Sequence, residues 1–372
     1  MRIAGSQPRQ ASPKRILVTG AAGVPALGYV RSLRKSAEKF HLTGVDSNKY
    51  QLLTAETDEC YLVPRASDGG YIDVLRDLIA ETRAELLFAQ ADVEIAVISR
   101  HREELDVKTF LPTQATIELC QDKYRSFERW QAAGLPVPET RLLQDETDLR
   151  SALADFGDTW LRAAEGADGL GSLHTSDFIH ARMWIESHGG WGTFTAARYL
   201  STRSVTWQSI WHEGELIVAQ GRERLHWDFA DKAPSGVTSI AGAGITIRDG
   251  EVDETAQRAI LAIDEKPHGI FTVDMTRDSA GAPNPTEINI GRFFATTLFF
   301  TFAGLNMPFI FTKLAFGEKP DSPEPHLNPL EPGLPWVRGM GREPILARVW
   351  QADLAERALN ERSRRLSIGK LA

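Results

Sequence analysis

The segment that most constrains the chain is Gly269 to Phe294, GIFTVDMTRDSAGAPNPTEINIGRFF. Ile270 to Met275 is rich in β-branched and aromatic residues, Asp278 to Asn284 carries turn formers, and Pro285 to Ile290 resumes strand character. The pattern predicts a hairpin with acids on both arms. Side chains alternate faces along a strand, so Glu287 and Asn289 share one face and Asp274 joins them from across the ladder. Three oxygen donors then converge. Hard divalent cations such as Mg²⁺ select carboxylate and amide oxygens and keep the rest of their shell for water and phosphate. Arg292 follows closely, and a guanidinium fork suits phosphate. A solvated hairpin face with incidental acids has the same appearance, so the rest of the chain must decide.

At 372 residues the chain exceeds one ordinary core and suits two or three domains. Hydrophobic residues make up 42% and charged residues 25%, the balance of a soluble globular protein, and no apolar run is long enough to span a bilayer. The two cysteines, Cys60 and Cys120, form neither a disulfide framework nor a metal-site spacing, which fits a reducing cytoplasm. A net charge of −8 argues against a broad nucleic-acid surface and leaves room for a local basic pocket. The opening stretch, MRIAGSQPRQASPKR, is polar and basic with no apolar export segment of its own, and reads as a flexible leader.

Arg15 to Leu33, RILVTGAAGVPALGYVRSL, reads as a buried strand, a glycine turn and an amphipathic helix, the opening of a doubly wound α/β domain. Gly20, Gly23 and Gly28 either cradle a phosphate at the helix N-terminus or let strand and helix pack closely. Asp46 closes the second strand near where an acid would hold an NAD ribose, although the glycine spacing departs from G-x-G-x-x-G. Tyr71 to Thr82 reads as helix, Ala84 to Ala89 as strand and Val93 to Glu104 as helix, ending the first domain near Leu111. Asp122 caps an amphipathic helix that runs to Gly134, and Pro136 and Pro138 then mark a boundary.

Thr159 to Ser172 places Arg162 on a strand ahead of a glycine-rich loop. After a helix at Phe178 to Ser187, Ser204 to Ile210 and Leu216 to Gly221 form an antiparallel pair whose end presents Arg222 and Arg224 on one face. These two arginines are either a charged sheet face or an anion site. The small-residue loop Ala233 to Gly244 is expected to touch or cover a ligand, and Asp253 to Ile263 reads as a helix on the final sheet. Thr296 to Phe316 is apolar and reads as core, since Gly304, Asn306 and Pro308 interrupt it. Glu318 to Pro335 reads as an extended covering strap and Glu343 to Leu359 as a terminal helix.

Taken together, these segments resemble the ATP-grasp superfamily, in the branch of carbamoyl-phosphate-synthase-like domains and carboxylate–amine ligases. The resemblance covers about Arg15 to Glu318. VTGAAGVPALGYVRSL is similar to the first βα unit of that branch, DKY with GLPVPET to the entry into the nucleotide-binding fold, WLRAAEGADGLGS to the lid strand and loop, and AARYLSTRSVTWQSIW to the nucleotide hinge. FTVDMTRDSAGAPNPTEIN corresponds best.

The resemblance implies an α/β chain with an α+β lid. A Rossmann-like pre-ATP domain over residues 15–118 follows the leader at 1–14 and precedes a two-part ATP-grasp fold. That fold has its lid at 119–200 and its metal- and ATP-binding part at 201–318, with a Pro-rich strap and helix at 319–372. ATP and Mg²⁺ would be the cofactors, with Mn²⁺ as a substitute, and Asp274, Glu287 and Asn289 the metal ligands. Lys123, Arg162, Gly166, Gly169, Gly171, Ser172, Tyr199 and Leu200 would hold the nucleotide, and Arg222, Arg224 and Arg292 the acid or acyl phosphate.

The implied reaction joins a small-molecule carboxylate to an amine through an acyl phosphate, in the cytoplasm, without nucleic acid or membrane, and homodimers are a family-level expectation. Three departures stand out. Arg162 replaces the usual lysine, no acid lies near Ser201 to Ser204 for the ribose, and Gly291 displaces Arg292 by one place, which in an ideal strand turns it to the other face. The alternatives are phosphorylation of another small carboxylate, a non-catalytic ATP-binding protein, and an NAD(P)-dependent oxidoreductase.

Overall fold

The computed structural model describes residues 12–166, 171–236, 241–321, 323–339 and, by backbone, 345–346. Three sheets organise the chain. The first is parallel, with β1 (Lys14–Val18), β2 (Phe40–Asp46), β3 (Glu59–Leu62) and β4 (Leu86–Phe88) in the order β3-β2-β1-β4. It carries α1 (Val24–Arg34), α2 (Tyr71–Thr82) and α3 (Asp92–Arg100). Alternation on β1 explains why both faces are covered. Ile16 and Val18 pack with Tyr29, Val30 and Leu33 of α1, whereas Leu17 packs with Leu75 and Ile79 of α2 and Ile95 and Ile98 of α3. Gly20 turns the chain between β1 and α1 at φ +52°.

Next come α4 (Gln114–Gln121) and α5 (Lys123–Ala132), the latter capped by the Asp122 carboxylate, which accepts from the backbone amides of Tyr124 and Arg125. The second sheet follows, antiparallel in the order β5-β8-β6-β7, from β5 (Thr140–Leu143), β6 (Thr159–Ala163), β7 (Leu173–Thr175) and β8 (Phe194–Arg198). Its helices α6 (Glu146–Phe156) and α7 (Phe178–Ser187) close a small core around Leu149, Leu161 and Ile185.

The third sheet is the platform. Its strands are β9 (Ser204–His212), β10 (Glu215–Trp227), β11 (Ala241–Ile247), β12 (Gly269–Arg277), β13 (Pro283–Ile290), β14 (Pro335–Val337) and β15 (Ile345–Leu346), in the order β13-β12-β9-β10-β11-β14-β15. α8 (Gly250–Leu261) intervenes between β11 and β12. One face is apolar: Val205, Trp207, Phe271, Val273 and Met275 pack with Val252, Ala256 and Ile260 of α8. The opposite face is apolar only at one end, where Ile210, Val218 and Ile270 meet α9 (Thr297–Phe302) and α10 (Met307–Ala315).

α1 ties to these last helices, with Tyr29 Oη 2.8 Å from Thr312 Oγ1 and Ser32 Oγ 2.8 Å from Thr301 Oγ1. The apolar stretch 296–316 is thus two core helices. Within the described part of 318–335, Leu327 bridges Ala219, and Asn328 gives both carboxylate oxygens of buried Asp253 a hydrogen bond at 2.8 Å. The helix expected over 343–359 lies outside the described residues, except at Ile345–Leu346, which are a strand paired to β14 and not helix. Most of the expected leader, residues 1–11, also lies outside them. No described helix is long and apolar enough to cross a membrane.

Candidate functional site

The polar part of the platform face is built by register. Glu287 pairs with Asp274, Asp274 with Thr206, and Thr206 with Arg222, so one row crosses four strands with all four side chains on one face. The next row is Asn289, Thr272, Gln208 and Gln220. Register between β12 and β13 slips after Asp274, which leaves Thr286 as an extra residue. Its hydroxyl donates to the Asp274 carbonyl at 3.0 Å, and its own carbonyl accepts from Arg162 Nη2 at 2.7 Å. The bulge therefore both aligns Glu287 with Asp274 and docks the arginine of β6.

Asn289 Nδ2 lies 3.2 Å from Asp274 Oδ2 and 3.5 Å from Glu287 Oε1, so the three predicted oxygen-bearing side chains are mutual neighbours. Asp274 also accepts from Thr206 Oγ1 and Arg224 Nη2, each at 2.8 Å. Burial alone would raise the Asp274 carboxyl, but the charge of Arg224, the Thr206 hydrogen bond and the charge of Arg222 together hold it below the usual range. Lys123 Nζ and Arg162 Nη1 approach Glu287 Oε2 at 3.9 and 3.8 Å. Burial lowers both of these basic groups, with Glu287 opposing the shift. Among the described residues no three His, Cys, Asp or Glu side chains are grouped so as to hold a metal ion, and the oxygen-bearing set here is two carboxylates and an amide.

Arg292 departs from the strand-based expectation. β13 ends at Ile290, and Gly291 takes φ +73°, where a Cβ would also come within 3.2 Å of Ile95 and Leu111. Alternation stops at that bend. Arg292 consequently stays on the side of the acids: Nη2 donates to Asn289 Oδ1 at 2.6 Å, and Asp92 at the start of α3 accepts from Nε at 2.6 Å and Nη2 at 3.1 Å.

These groups open on one cavity of about 430 Å³. Its wall contains Lys123, Arg162, Gly166, Ser172, Tyr199, Leu200, Arg222, Arg224, Arg292, Asp274, Glu287 and Asn289, so the fold brings together all but two of the predicted positions. Gly171 is not in the wall; its carbonyl accepts from Trp184 Nε1 at 2.8 Å. Gly169 lies outside the described residues, as do 237–240 of the small-residue loop, of which Ala241 does reach the wall.

Trp160, Pro138, Tyr199 and Leu200 also line the cavity, with Tyr199 stacked on His174 at 3.9 Å, and Ser201, Thr202 and Ser204 bring hydroxyls where the sequence lacks an acid, that of Ser204 accepting from Arg224 Nη1 at 2.9 Å. Arg222 sits over the Phe294 ring at 4.1 Å and Arg224 over Trp227 at 4.7 Å. The sequence reading missed Arg338, Thr296 and Glu165 in the wall and Asp92 behind it. Arg338 follows the strap with no motif around it, and Asp92 is 200 residues from its partner. The glycine turn carries no comparable site at Asp46, whose carboxylate accepts from the backbone amides of Asn48 at 2.8 Å and Ala22 at 3.3 Å.

The family model for PylC-like N-terminal domains matches residues 16–110. No curated protein matches the sequence. Among solved structures, the chain is similar to N5-carboxyaminoimidazole synthetase from Staphylococcus aureus complexed with ADP, at 17% identity over 94% of this chain and 86% of that one, with a TM-score of 0.67. It is similar to the biotin carboxylase domain dimer of 2-oxoglutarate carboxylase from Hydrogenobacter thermophilus, in complex with MgADP, ADP and bicarbonate, at 16% identity, 87% and 73% coverage and a TM-score of 0.67. L-amino acid ligase from Bacillus licheniformis matches at 13% identity, 82% and 75% coverage and a TM-score of 0.62.

Proposed function

We propose that this chain, which has the ATP-grasp fold, is an ATP-dependent ligase that joins a small-molecule carboxylate to an amine through an acyl phosphate and releases ADP and phosphate. The observation that carries this reading is the platform row Glu287, Asp274, Thr206 and Arg222, with Asn289 beside it, meeting Lys123 and Arg162 of the small sheet's side in one cavity. Hard oxygens on one side and fixed cations on the other are what a metal-bound polyphosphate requires. The NAD(P) alternative leaves this row without a purpose, and the backbone amides already occupy Asp46. The ADP complex of the S. aureus synthetase and the MgADP and bicarbonate of the H. thermophilus domain support the same direction.

Asp274, Glu287 and Asn289 offer hard oxygens and no soft donor, so they fit Mg²⁺, with Mn²⁺ as a substitute. The metal, when bound, neutralises phosphate charge. Lys123 and Arg162 take the phosphates. The rings of Trp160 and Tyr199 accept the base, and the Thr202 hydroxyl takes the ribose. Arg222, Arg224 and Arg292 orient the acid. A carboxylate oxygen attacks the γ-phosphorus, the bond to the β-phosphate oxygen breaks, and ADP leaves. The amine nitrogen then adds to the acyl carbon, phosphate departs with the C–O electron pair, and the nitrogen loses a proton. The protein supplies position and charge complementarity and no covalent nucleophile.

Thermal unfolding in the presence of nucleotides tests the binding half. MgATP or MgADP should raise the melting temperature while NAD(P) leaves it unchanged, and the reverse pattern would contradict the proposal. Phosphate release from ATP with pooled amino acids and small carboxylates tests turnover. Binding without any stimulated release would leave a nucleotide-binding protein and not a ligase.

A further inference from the structure

The cations of the cavity are unequally partnered. Arg224 pairs with Asp274 at 2.8 Å, Arg292 with Asp92 at 2.6 Å, and Lys123 and Arg162 flank Glu287. Arg222 is different. It is 3% exposed and forms no ion pair among the described residues, and its Nε, like that of Arg224, has no hydrogen-bond partner. One of its terminal nitrogens donates to Thr296 Oγ1, and the ring of Phe294 covers its face. The carboxylate whose charge it feels, Asp274, is already bonded by Arg224, Thr206 and Asn289, so one buried carboxylate faces two guanidinium groups. Such an excess of buried positive charge is costly, and its retention points to an anion brought by a ligand. Arg338 is a second cation in the same wall with no ion pair among the described residues, although the charge of Asp228 acts on it.

The pre-ATP domain completes this wall. Val24 and Pro25, the first residues of α1, also line the cavity. Gly23 gives that 11-residue helix no side-chain cap and its first turn holds no acid, and the carboxylate beside the turn, Asp46, is engaged by the backbone amides of Ala22 and Asn48. α1 packs on α9, and Thr296, the residue that holds Arg222, stands at the N-terminus of α9. The helix end and the unpaired arginine thus belong to one wall.

A carboxylate under activation needs one of these partners near the metal-binding row. Arg222, Arg338 and the α1 terminus together exceed that need. We infer that the acid carries a second anionic group, a carboxylate or a phosphate, seated among the α1 N-terminus, Arg222 and Arg338; this rests on the ligase reading.

Isothermal titration of the full chain preloaded with MgADP tests the inference, using pairs that differ in one anionic group: glutarate against valerate, and phosphoglycolate against glycolate. The member with the second anion should bind at least about tenfold tighter. A preference in the first pair identifies a dicarboxylate and in the second a phosphorylated acid. Arg222→Gln and, as the more exposed and better tolerated change, Arg338→Gln should each erase most of the preference while MgADP still binds. Equal affinities within both pairs, or a preference that survives both substitutions, would overturn the inference and leave the ligase reading standing. Failure of MgADP itself to bind the wild-type chain would overturn the ligase reading and this inference with it.

Discussion

Asp274 shows how much a single side chain is asked to do. It bonds Thr206, Arg224 and Asn289, and its carboxyl stays ionised below the usual range because neighbouring positive charge outweighs burial. The depressed value means that its contribution to stability is present above the ordinary carboxylate range and is lost as pH falls through the folded value. Asp274→Asn and Glu287→Gln should each lower ATP-dependent phosphate release by about 100-fold or more, with unchanged circular dichroism. Wild-type turnover in either variant would refute the metal assignment. Gly291→Ala should destabilise the chain by about 1–3 kcal/mol in urea titration, because it meets both a positive φ and the side chains of Ile95 and Leu111. Local sequence was enough to bring Asp274, Glu287 and Asn289 together on one face, since strand alternation is a short-range rule. It was not enough for Arg292, whose direction depends on a bend at Gly291 that packing against α3 imposes.

The elements tell a similar story one level up. α2 and α7 lie where their apolar spacing predicts, and α5 begins at the Asp122 cap, because caps and amphipathic stripes are written in adjacent residues. The bulge at Thr286, the partner Asp92, and the pairing of β14 with β11 and β15 left no local signal. Each depends on what a distant segment presents. α3 offers an element-scale test. Glu94, 8% exposed, accepts from Thr19 Oγ1 at 2.6 Å, and burial pushes its carboxyl up from the ordinary 4.5. A raised carboxyl favours the protonated folded form, so stability attributable to Glu94 falls as pH rises above 4.5 through the folded value. The unfolding free energy of Glu94→Gln minus that of wild type should therefore increase from pH 4.5 towards pH 7; a flat or decreasing difference would remove Glu94 from this role. In the strap, Asn328→Ala strips Asp253 of two hydrogen bonds and should cost about 2–4 kcal/mol, read from the denaturation midpoint.

At the scale of the whole molecule, the division of labour follows from the two faces of the platform sheet. One face is sealed by α8, while the other is apolar against α9 and α10 and polar where the small antiparallel sheet and the tip of α1 approach it. The cavity is therefore enclosed by all three sheets' neighbourhoods, and its groups come from segments as far apart as Val24 and Arg338. The order of segments along the chain made that architecture legible in outline. The part of the wall that holds Arg222 and Arg338 was not, because it forms only where α1, β10 and the residues after β14 converge.

The central claim is the acyl phosphate, and hydroxylamine trapping addresses it directly. Hydroxylamine nitrogen displaces phosphate from an acyl phosphate and leaves a stable hydroxamate, so the chain is incubated with MgATP, hydroxylamine and a panel of small mono- and dianionic acids. The account predicts hydroxamate formation from at least one acid, strictly dependent on MgATP and lost in Glu287→Gln. Nucleotide binding with no ATP-dependent hydroxamate from any acid that binds would contradict it.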